Sequence, residues 1–372
     1  MDTVRIGVVG LGGMGVRHAR ALLAGEVAGA ALTAVCDVRA ERLAWAREHL
    51  SSEPACFDDL DAFLNAGVAD AVIVATRHYE HPPLAIRCFA AGLHVLTEKP
   101  AGVYAKQVGE MNRAAAASGK VFAINYQMRT DPLYRRLKEM VEGGELGEIK
   151  RTNWVITAWY RPQSYYDRDD WRATWAGEGG GVLINQAPHQ LDLWQWCCGM
   201  PARLRAFCYY GKHHDIEAED DVTAFIEYPN GATGVFVTST GDAPGSNRLE
   251  VTGDNGKVVV EDGRLTFWKL DVPEPRFRRE HRTGPDQPGY TRAEVPVEGR
   301  TTGHVGITRN FVEAITDGAC LLAPGQEGIR GLSISNAMHL SAWLDDWVAV
   351  PPDEDLFYEK LQERSAGSGA GA

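Results

Sequence analysis

Three side chains of this 372-residue chain have the types needed to bind an alcohol and handle its proton: Lys99, Asn185 and His189. His189 titrates near neutrality and suits a general base. Asn185 stands four residues before it; it exchanges no proton but can orient a hydroxyl as donor or acceptor. On a helix starting at Asn185 the two share a face, and Asp192 lies one turn beyond His189. Asn185 reads as the N-cap of that helix, with Pro188 in its first turn. Asp192 either holds the second imidazole nitrogen or is a solvated or capping carboxylate. The glycines just before, Gly179, Gly180 and Gly181, suit a backbone that passes close to something, here read as the reacting partners. Lys99 sits in LTEKPAG, after an apolar strand, where a lysine acts as an acid or as a charge that lowers a hydroxyl's pKa.

A second group of residues points to a dinucleotide. VRIGVVGLGGMG spaces Gly10, Gly12 and Gly15 as G-x-G-x-x-G between a strand and a helix, with Leu11, Gly13 and Met14 inside the loop. Gly10 permits the tight turn, Gly12 lets backbone approach a pyrophosphate, and Gly15 lets the helix pack on the sheet. The helix N-terminus adds N–H groups and positive potential. Asp37 closes the second strand, where a carboxylate holds ribose hydroxyls and repels a 2′-phosphate, so NAD is expected rather than NADP. Arg39 and Arg42 are the side chains that would favour the phosphate instead.

These residues need a scaffold, and the chain is long enough for two domains. Apolar runs at 4–10, 31–37, 71–75, 94–98 and 121–126 alternate with amphipathic stretches at 18–23, 40–50, 83–91 and 106–118. This is a βαβ series and gives a doubly wound parallel sheet. One more helix is expected over 131–142. From residue 149 the pattern shifts to strands at 149–159, 204–210, 221–228, 233–238, 248–252, 257–261 and 264–269, a large open, mostly antiparallel sheet with helices on one side. Residues 271–300 read as a long loop, 310–317 and 331–347 as helices, and the tail SAGSGAGA as disordered. The expected division is 1–126, 127–350 and a C-terminal extension, 351–372.

The net charge of -12 argues against nucleic acid as a partner. No apolar run reaches the roughly 20 residues that span a bilayer, and no signal peptide is visible. Seven scattered cysteines without metal-ligand spacing read as free thiols of a cytoplasmic protein, with no metal site. GKHHD, with His213, His214 and Asp215, lacks a third spaced ligand and reads as a polar loop.

Several longer stretches resemble the glucose–fructose oxidoreductase/inositol dehydrogenase/MocA family: GLGGMG, AVIVATRHYEHPPLAIRCFAAGLHVLTEKP, NYQMRTDPLYRRLKEMVEGGELGEI, GGGVLINQAPHQLDLWQWCCG, EDDVTAFIEYPNGATG and NFVEAITDG. They occur in the family's order and cover nearly the whole chain. The resemblance implies an N-terminal Rossmann domain, a C-terminal α/β domain and nicotinamide-dependent chemistry on a sugar, cyclitol or related polyol. It puts Lys99 on the family's catalytic lysine and His189 on its catalytic histidine. It puts Thr76, His78 and His81 on a loop that contacts the cofactor, although Arg77-His78 stands where many relatives have Pro-Asn. Asn185 stands where many relatives have aspartate, which leaves His189 as base and Lys99 to bond the same hydroxyl oxygen. Val38, Glu98, Asn125 and Gln127 complete the expected cofactor contacts.

For the substrate, WYRPQSYYDRDDWRATWAGEGGG offers Tyr160, Tyr165, Tyr166, Trp171, Arg172 and Trp175, residue types that stack on sugar faces or bind hydroxyls. Tyr126 and Arg129, after the sixth strand, are the next candidates. His304 is a further residue that would fit a cleft. The expected activity is oxidation of a secondary hydroxyl by a dehydrogenase that exchanges NAD. Two alternatives share the fold: a permanently bound nicotinamide used for internal redox exchange or oxidation-assisted glycoside cleavage, and a non-catalytic NAD-binding sensor. The resemblance also implies a homodimer or homotetramer through the open sheet face, to which Phe225, Val235, Phe236 and Val237 would contribute.

Overall fold

The computed structural model describes residues 3–50 and 54–368. Two compact units result: residues up to Thr130 with Thr301–Leu332, and Asp131–Arg300 with the residues from Ser333 onward. Residues 301–332, assigned from the sequence to the second domain, thus pack with the first unit.

The first unit is built on six parallel strands, β1 (Val4–Val9), β2 (Ala30–Cys36), β3 (Ala55–Phe57), β4 (Ala71–Val74), β5 (His94–Thr97) and β6 (Phe122–Ile124). Their order is β3-β2-β1-β4-β5-β6, so the crossover reverses between β1 and β4. Val8, Ile73 and Leu96 are fully buried, as continuous apolar runs must be when helices cover both sheet faces. In such a sheet ligands bind outside the carboxyl ends of the strands at that reversal.

The second unit carries a nine-stranded sheet: β7 (Ile149–Ile156), β8 (Arg203–Tyr210), β9 (Glu219–Glu227), β10 (Thr233–Ser239), β11 (Asn247–Gly253), β12 (Gly256–Glu261), β13 (Arg264–Leu270), β14 (Tyr290–Glu294) and β15 (Val348–Ala349). The order is β14-β13-β12-β11-β7-β10-β9-β8-β15. Only β7 and β10 pair in parallel. Residues 271–300 are not one loop: a helix (Glu274–Glu280) and edge strand β14 lie within them. In the C-terminal extension Glu354–Gly367 is helical and buries Phe357 and Leu361, so the start of the tail expected to be disordered, Ser365 to Gly367, is the last turn of a helix. Of the tail expected to be disordered, residues 369–372 lie outside the described residues.

Period-two alternation sorts the sheet faces. Val222, Ala224 and Ile226 of β9 and Phe236 of β10 point inward, where Trp194 stacks on Phe236 with ring centroids 5.3 Å apart. Phe236 therefore belongs to the core and not to the open face. That face carries Phe207, Tyr209 and Phe225, all exposed, with Val235 and Val237 half-buried beside them. No described helix is long and apolar enough to cross a membrane, and all seven cysteines are free.

Candidate active site

In the first unit the glycine loop lies at the carboxyl end of β1. Gly10 takes φ +90°, and a Cβ there would meet the Ala75 carbonyl at 2.7 Å. The helix Gly13–Leu23 starts with no side-chain cap, so its first N–H groups keep their donor capacity. Asp37 is 8 % exposed, and its carboxylate accepts the Leu11 N–H at 2.7 Å and the Arg39 N–H at 3.0 Å. The bond to Leu11 ties the end of β2 to the loop. The Arg39 guanidinium lies 3.6 Å from Asp37, and Val38 between them is 84 % exposed.

Four polar atoms along the ends of β4, β5 and β6 are buried without a hydrogen-bond partner among the described residues: Thr76 Oγ1, Thr97 Oγ1, Asn125 Oδ1 and Gln127 Oε1. Buried polar atoms in a native fold need partners, so this edge is chemically suited to a polar ligand. His81 has a different job. Its Nδ1 lies 2.8 Å from the Pro100 carbonyl and its Nε2 3.1 Å from the Thr76 carbonyl, so the ring is wedged between two backbone carbonyls and neither nitrogen faces a cofactor. Burial lowers its pKa. His78 is buried and Arg77 exposed.

Lys99 is half-buried, and its backbone N–H donates to Glu98 at 3.2 Å. Glu98 is buried, and its Oε1 meets His18 Nε2 and Asn125 Nδ2, each at 2.7 Å. Burial alone would raise its pKa, but the His18 bond and the neighbouring positive groups outweigh it and hold the carboxyl at about 2. His304 Nδ1 lies 2.9 Å from the same Asn125 amide; burial pushes its pKa down to about 4. The donor atoms of His18, Glu98 and His304 lie within 4.8 Å of one another, close enough for metal ligands. The Asn125 amide nitrogen sits within 2.7–3.2 Å of all three and fills the centre as a hydrogen-bond donor.

Tyr126 and Arg129 do not line an open surface. Arg129 is fully buried, ion-paired to Glu327 at 2.6 Å and bonded to the Leu322 carbonyl, while Tyr126 is 2 % exposed. They anchor residues 301–332 to the parallel sheet.

In the second unit the glycine run leads into a short helix (Val182–Asn185) and then a longer one (Pro188–Cys198). Asn185 ends the first helix and is not the N-cap of the second. Ala187 takes that position, and Pro188 is in the first turn as expected. His189 follows, 6 % exposed. The glycines answer to the protein itself. A Cβ on Gly181 would sit 2.0 Å from the Glu219 carbonyl, and one on Gly180, at φ +146°, would meet the His339 ring at 3.1 Å. Buried Glu219 accepts the Gly181 and Leu183 N–H groups, holding the start of the helix that carries Asn185. Its Oε2 also lies 3.1 Å from His339 Nε2. Glu178 accepts from the Asn185 amide and from the Ala173 N–H. Asp192, 0 % exposed, accepts from Gln195 at 3.1 Å.

The aromatic stretch divides in two. Tyr166 and Trp175 are core residues, Tyr166 bonded to Thr240 and Trp175 packed against His339 and Trp343. Tyr165, Trp171 and Arg172 form a half-buried cluster, with the guanidinium 4.7 Å from both ring centroids and bonded to Asp169 and the Tyr165 hydroxyl. Tyr160 is exposed. In the GKHHD segment His214 is satisfied by Asp220 and the Arg161 carbonyl, and His213 by Asp221. Sequence reasoning missed Glu178, Glu219 and His18. Only Glu178 left a trace, an acid set directly against the glycines.

Residues 4–126 match the family model described as an oxidoreductase family with an NAD-binding Rossmann fold, and residues 134–259 match the GFO/IDH/MocA C-terminal domain. The myo-inositol 2-dehydrogenase of Thermotoga maritima is 28 % identical over 272 residues, 71 % of this chain and 77 % of the relative. The levoglucosan dehydrogenase of Pseudarthrobacter phenanthrenivorans is 24 % identical, covering 94 % of this chain and 99 % of the relative. Among solved structures, the WlbA dehydrogenase of Chromobacterium violaceum in complex with NADH and UDP-GlcNAcA superposes with a TM-score of 0.81 at 28 % identity, covering 95 % of this chain and 97 % of the other.

Proposed function

The chain belongs to the GFO/IDH/MocA oxidoreductase family, and from that premise we propose that it oxidises a secondary hydroxyl of a sugar, glycoside or cyclitol with NAD. The observation that carries this reading is the carboxyl edge of the parallel sheet. There an uncapped helix start, the loop-bound Asp37 and the unpartnered atoms of Thr76 and Thr97 fit a dinucleotide. The Gly12–Gly15 turn takes the pyrophosphate, and Asp37 takes the adenosine ribose hydroxyls. Arg39 lies beside Asp37, but the carboxylate, held by two backbone N–H groups, sets the preference for NAD over NADP. A bound nicotinamide would supply the acceptor for the hydride that leaves the carbinol carbon.

The chain's own residues handle the proton. His189, on the first turn of its helix, takes it from the hydroxyl, and Lys99 stabilises the negative charge that develops on oxygen. Asn185 orients a substrate hydroxyl, and Arg172 with Tyr165 and Trp171 lines the sugar. The relatives' names point to polyhydroxylated rings as the substrate class.

Turnover of NAD with a panel of inositols, anhydrosugars and sugar acids tests the reading. Lys99→Met should lower kcat by about 10²–10⁴-fold with the fold intact. A panel without activity overturns the dehydrogenase. Cofactor retained through gel filtration, with no response to added NAD, favours the internal-redox alternative. The apolar face of Phe207, Tyr209 and Phe225 suits self-association into a dimer or tetramer, and light scattering showing a monomer removes that assignment.

A further inference from the structure

The helix Glu354–Gly367 is fixed within the second unit at two levels. Its Phe357, 1 % exposed, stacks on Trp343 with ring centroids 5.3 Å apart, and Trp343 meets the Trp175 ring edge-on at 5.5 Å. Just past the last turn stands Ser368, whose backbone N–H donates to the Ser365 carbonyl at 3.2 Å. The Ser368 hydroxyl donates to Glu217 Oε2 at 2.6 Å and accepts the Ala176 N–H at 3.3 Å. The same Glu217 oxygen accepts the Trp175 N–H at 3.3 Å. Two consecutive peptide groups, one hydroxyl and one carboxylate thus close a ring. A carboxylate drawing on the hydroxyl proton makes the hydroxyl oxygen a better acceptor, so the short bond strengthens the long one. The residues after Glu217 grip the same stretch. The Ala218 N–H donates to the Ala173 carbonyl at 3.1 Å, and Glu219 accepts from Gly181 and Leu183. Ser368 joins them from 192 residues along the chain.

We propose that Ser368 and Glu217 are positioning residues: they clasp the backbone at Trp175 and Ala176 and thereby hold Arg172, three residues before Trp175, in the place where it meets the substrate. The proposal rests on the reading that Arg172 lines the sugar. The guanidinium is tied at its tip to Asp169 and the Tyr165 hydroxyl, while the backbone behind it runs straight into the clasped peptides. Releasing residues 175 and 176 frees one end of that stretch, and the ordering it loses must be supplied when substrate binds. His189 stands on a different helix, Pro188–Cys198, so the clasp bears on binding rather than on proton transfer.

Ser368→Ala tests this by removing a single hydroxyl from a half-buried position beyond the helix. The Phe357–Trp343 stack stays, so the extension keeps its place while the ring opens. Ser368→Thr keeps the hydroxyl and serves as the conservative control. Glu217→Gln weakens the same ring from its other side. The two changes act on one set of bonds, so together they should cost less than the product of their separate effects.

Two measurements decide it. In the substrate-free protein, backbone hydrogen exchange of a peptide spanning residues 173–178 should speed up at least about threefold in Ser368→Ala, while strand β8 exchanges as in the parent. In turnover, Ser368→Ala should raise KM about three- to tenfold with kcat changed less than about twofold, and Ser368→Thr should stay within about twofold of the parent in both. A purely structural role would speed exchange in β8 as well and would not divide KM from kcat. Unchanged exchange at 173–178, or faster exchange throughout the unit, overturns the clasp, and an unchanged KM overturns its link to substrate. If no polyol is turned over, the exchange measurement still decides what Ser368 does to residues 175 and 176, and the failure then lies with the dehydrogenase reading.

Discussion

The two glycine runs look alike in sequence and meet opposite demands. In the first, a Cβ placed on Gly12 or Gly13 would meet nothing within 4 Å. Among the described residues no neighbouring element fills that space, which suits a ligand. In the second, a Cβ on Gly181 would collide with the Glu219 backbone, and one on Gly180 would press on the His339 ring. There the protein itself fills the space. Gly15 crosses the division, because its Cβ would lie 1.8 Å from the Gly10 carbonyl although it belongs to the nucleotide loop. A glycine motif therefore states that a side chain is excluded, and only its surroundings say whether a ligand or a neighbouring strand excludes it.

The contrast is easiest to break at Gly181. Gly181→Ala should destabilise the fold by more than about 3 kcal/mol, since the clash is with backbone that cannot rotate away. Chemical unfolding checks this, and a loss below about 1 kcal/mol would mean the two segments are less tightly joined. Gly12→Ala should behave in the opposite way. Its stability should change by no more than about 1 kcal/mol, while NAD affinity falls about tenfold or more, measured by calorimetric titration. Equal losses of stability in both variants would erase the distinction.

A smaller effect concerns pH and belongs to the first unit, which holds both His304 and Glu98. The His304 pKa falls from near 6.5 to about 4 on folding, so the unfolded chain binds the extra proton between those values. Stability therefore declines as pH drops from 6.5 towards 4. Glu98 extends the decline, because its contribution is complete above its unfolded pKa near 4.5 and is lost as pH approaches 2. His304→Asn should flatten the upper part of the curve and weaken the lower part less, since the His18 bond still holds Glu98 down when the His304 charge is gone, read from urea midpoints across pH. An unchanged slope between pH 6.5 and 4 would show that His304 does not set it.

Much of this was legible in the sequence where neighbours in the chain are neighbours in space. The parallel strands announced themselves as apolar runs, and the places of Gly10, Asp37 and Lys99 just past strand ends followed from those runs. The side chains that hold the site were not legible, because their partners are remote. Glu219 binds Gly181 from 38 residues away, and His304 meets Asn125 across 179. No periodicity links such pairs. Phe236 was misassigned for a different reason: strand β10 is apolar on both faces, so alternation alone could not say which side was covered. Arg129 looked like a ligand residue because its partner, Glu327, lies in a stretch expected to belong elsewhere.

That last pair bears on how the protein is made. Synthesis delivers residues 1–130 long before 301–332, yet both belong to one folding unit. Until Glu327 has emerged, the ion pair that Arg129 makes with it cannot form, and the parallel sheet lacks the segment whose acid meets that buried cation. The first unit thus waits on the ribosome for most of the second. A fragment cut at residue 130 would be an incomplete product rather than a smaller protein, and a nucleotide-binding module for biochemical work would have to carry residues 301–332 by a grafted connection.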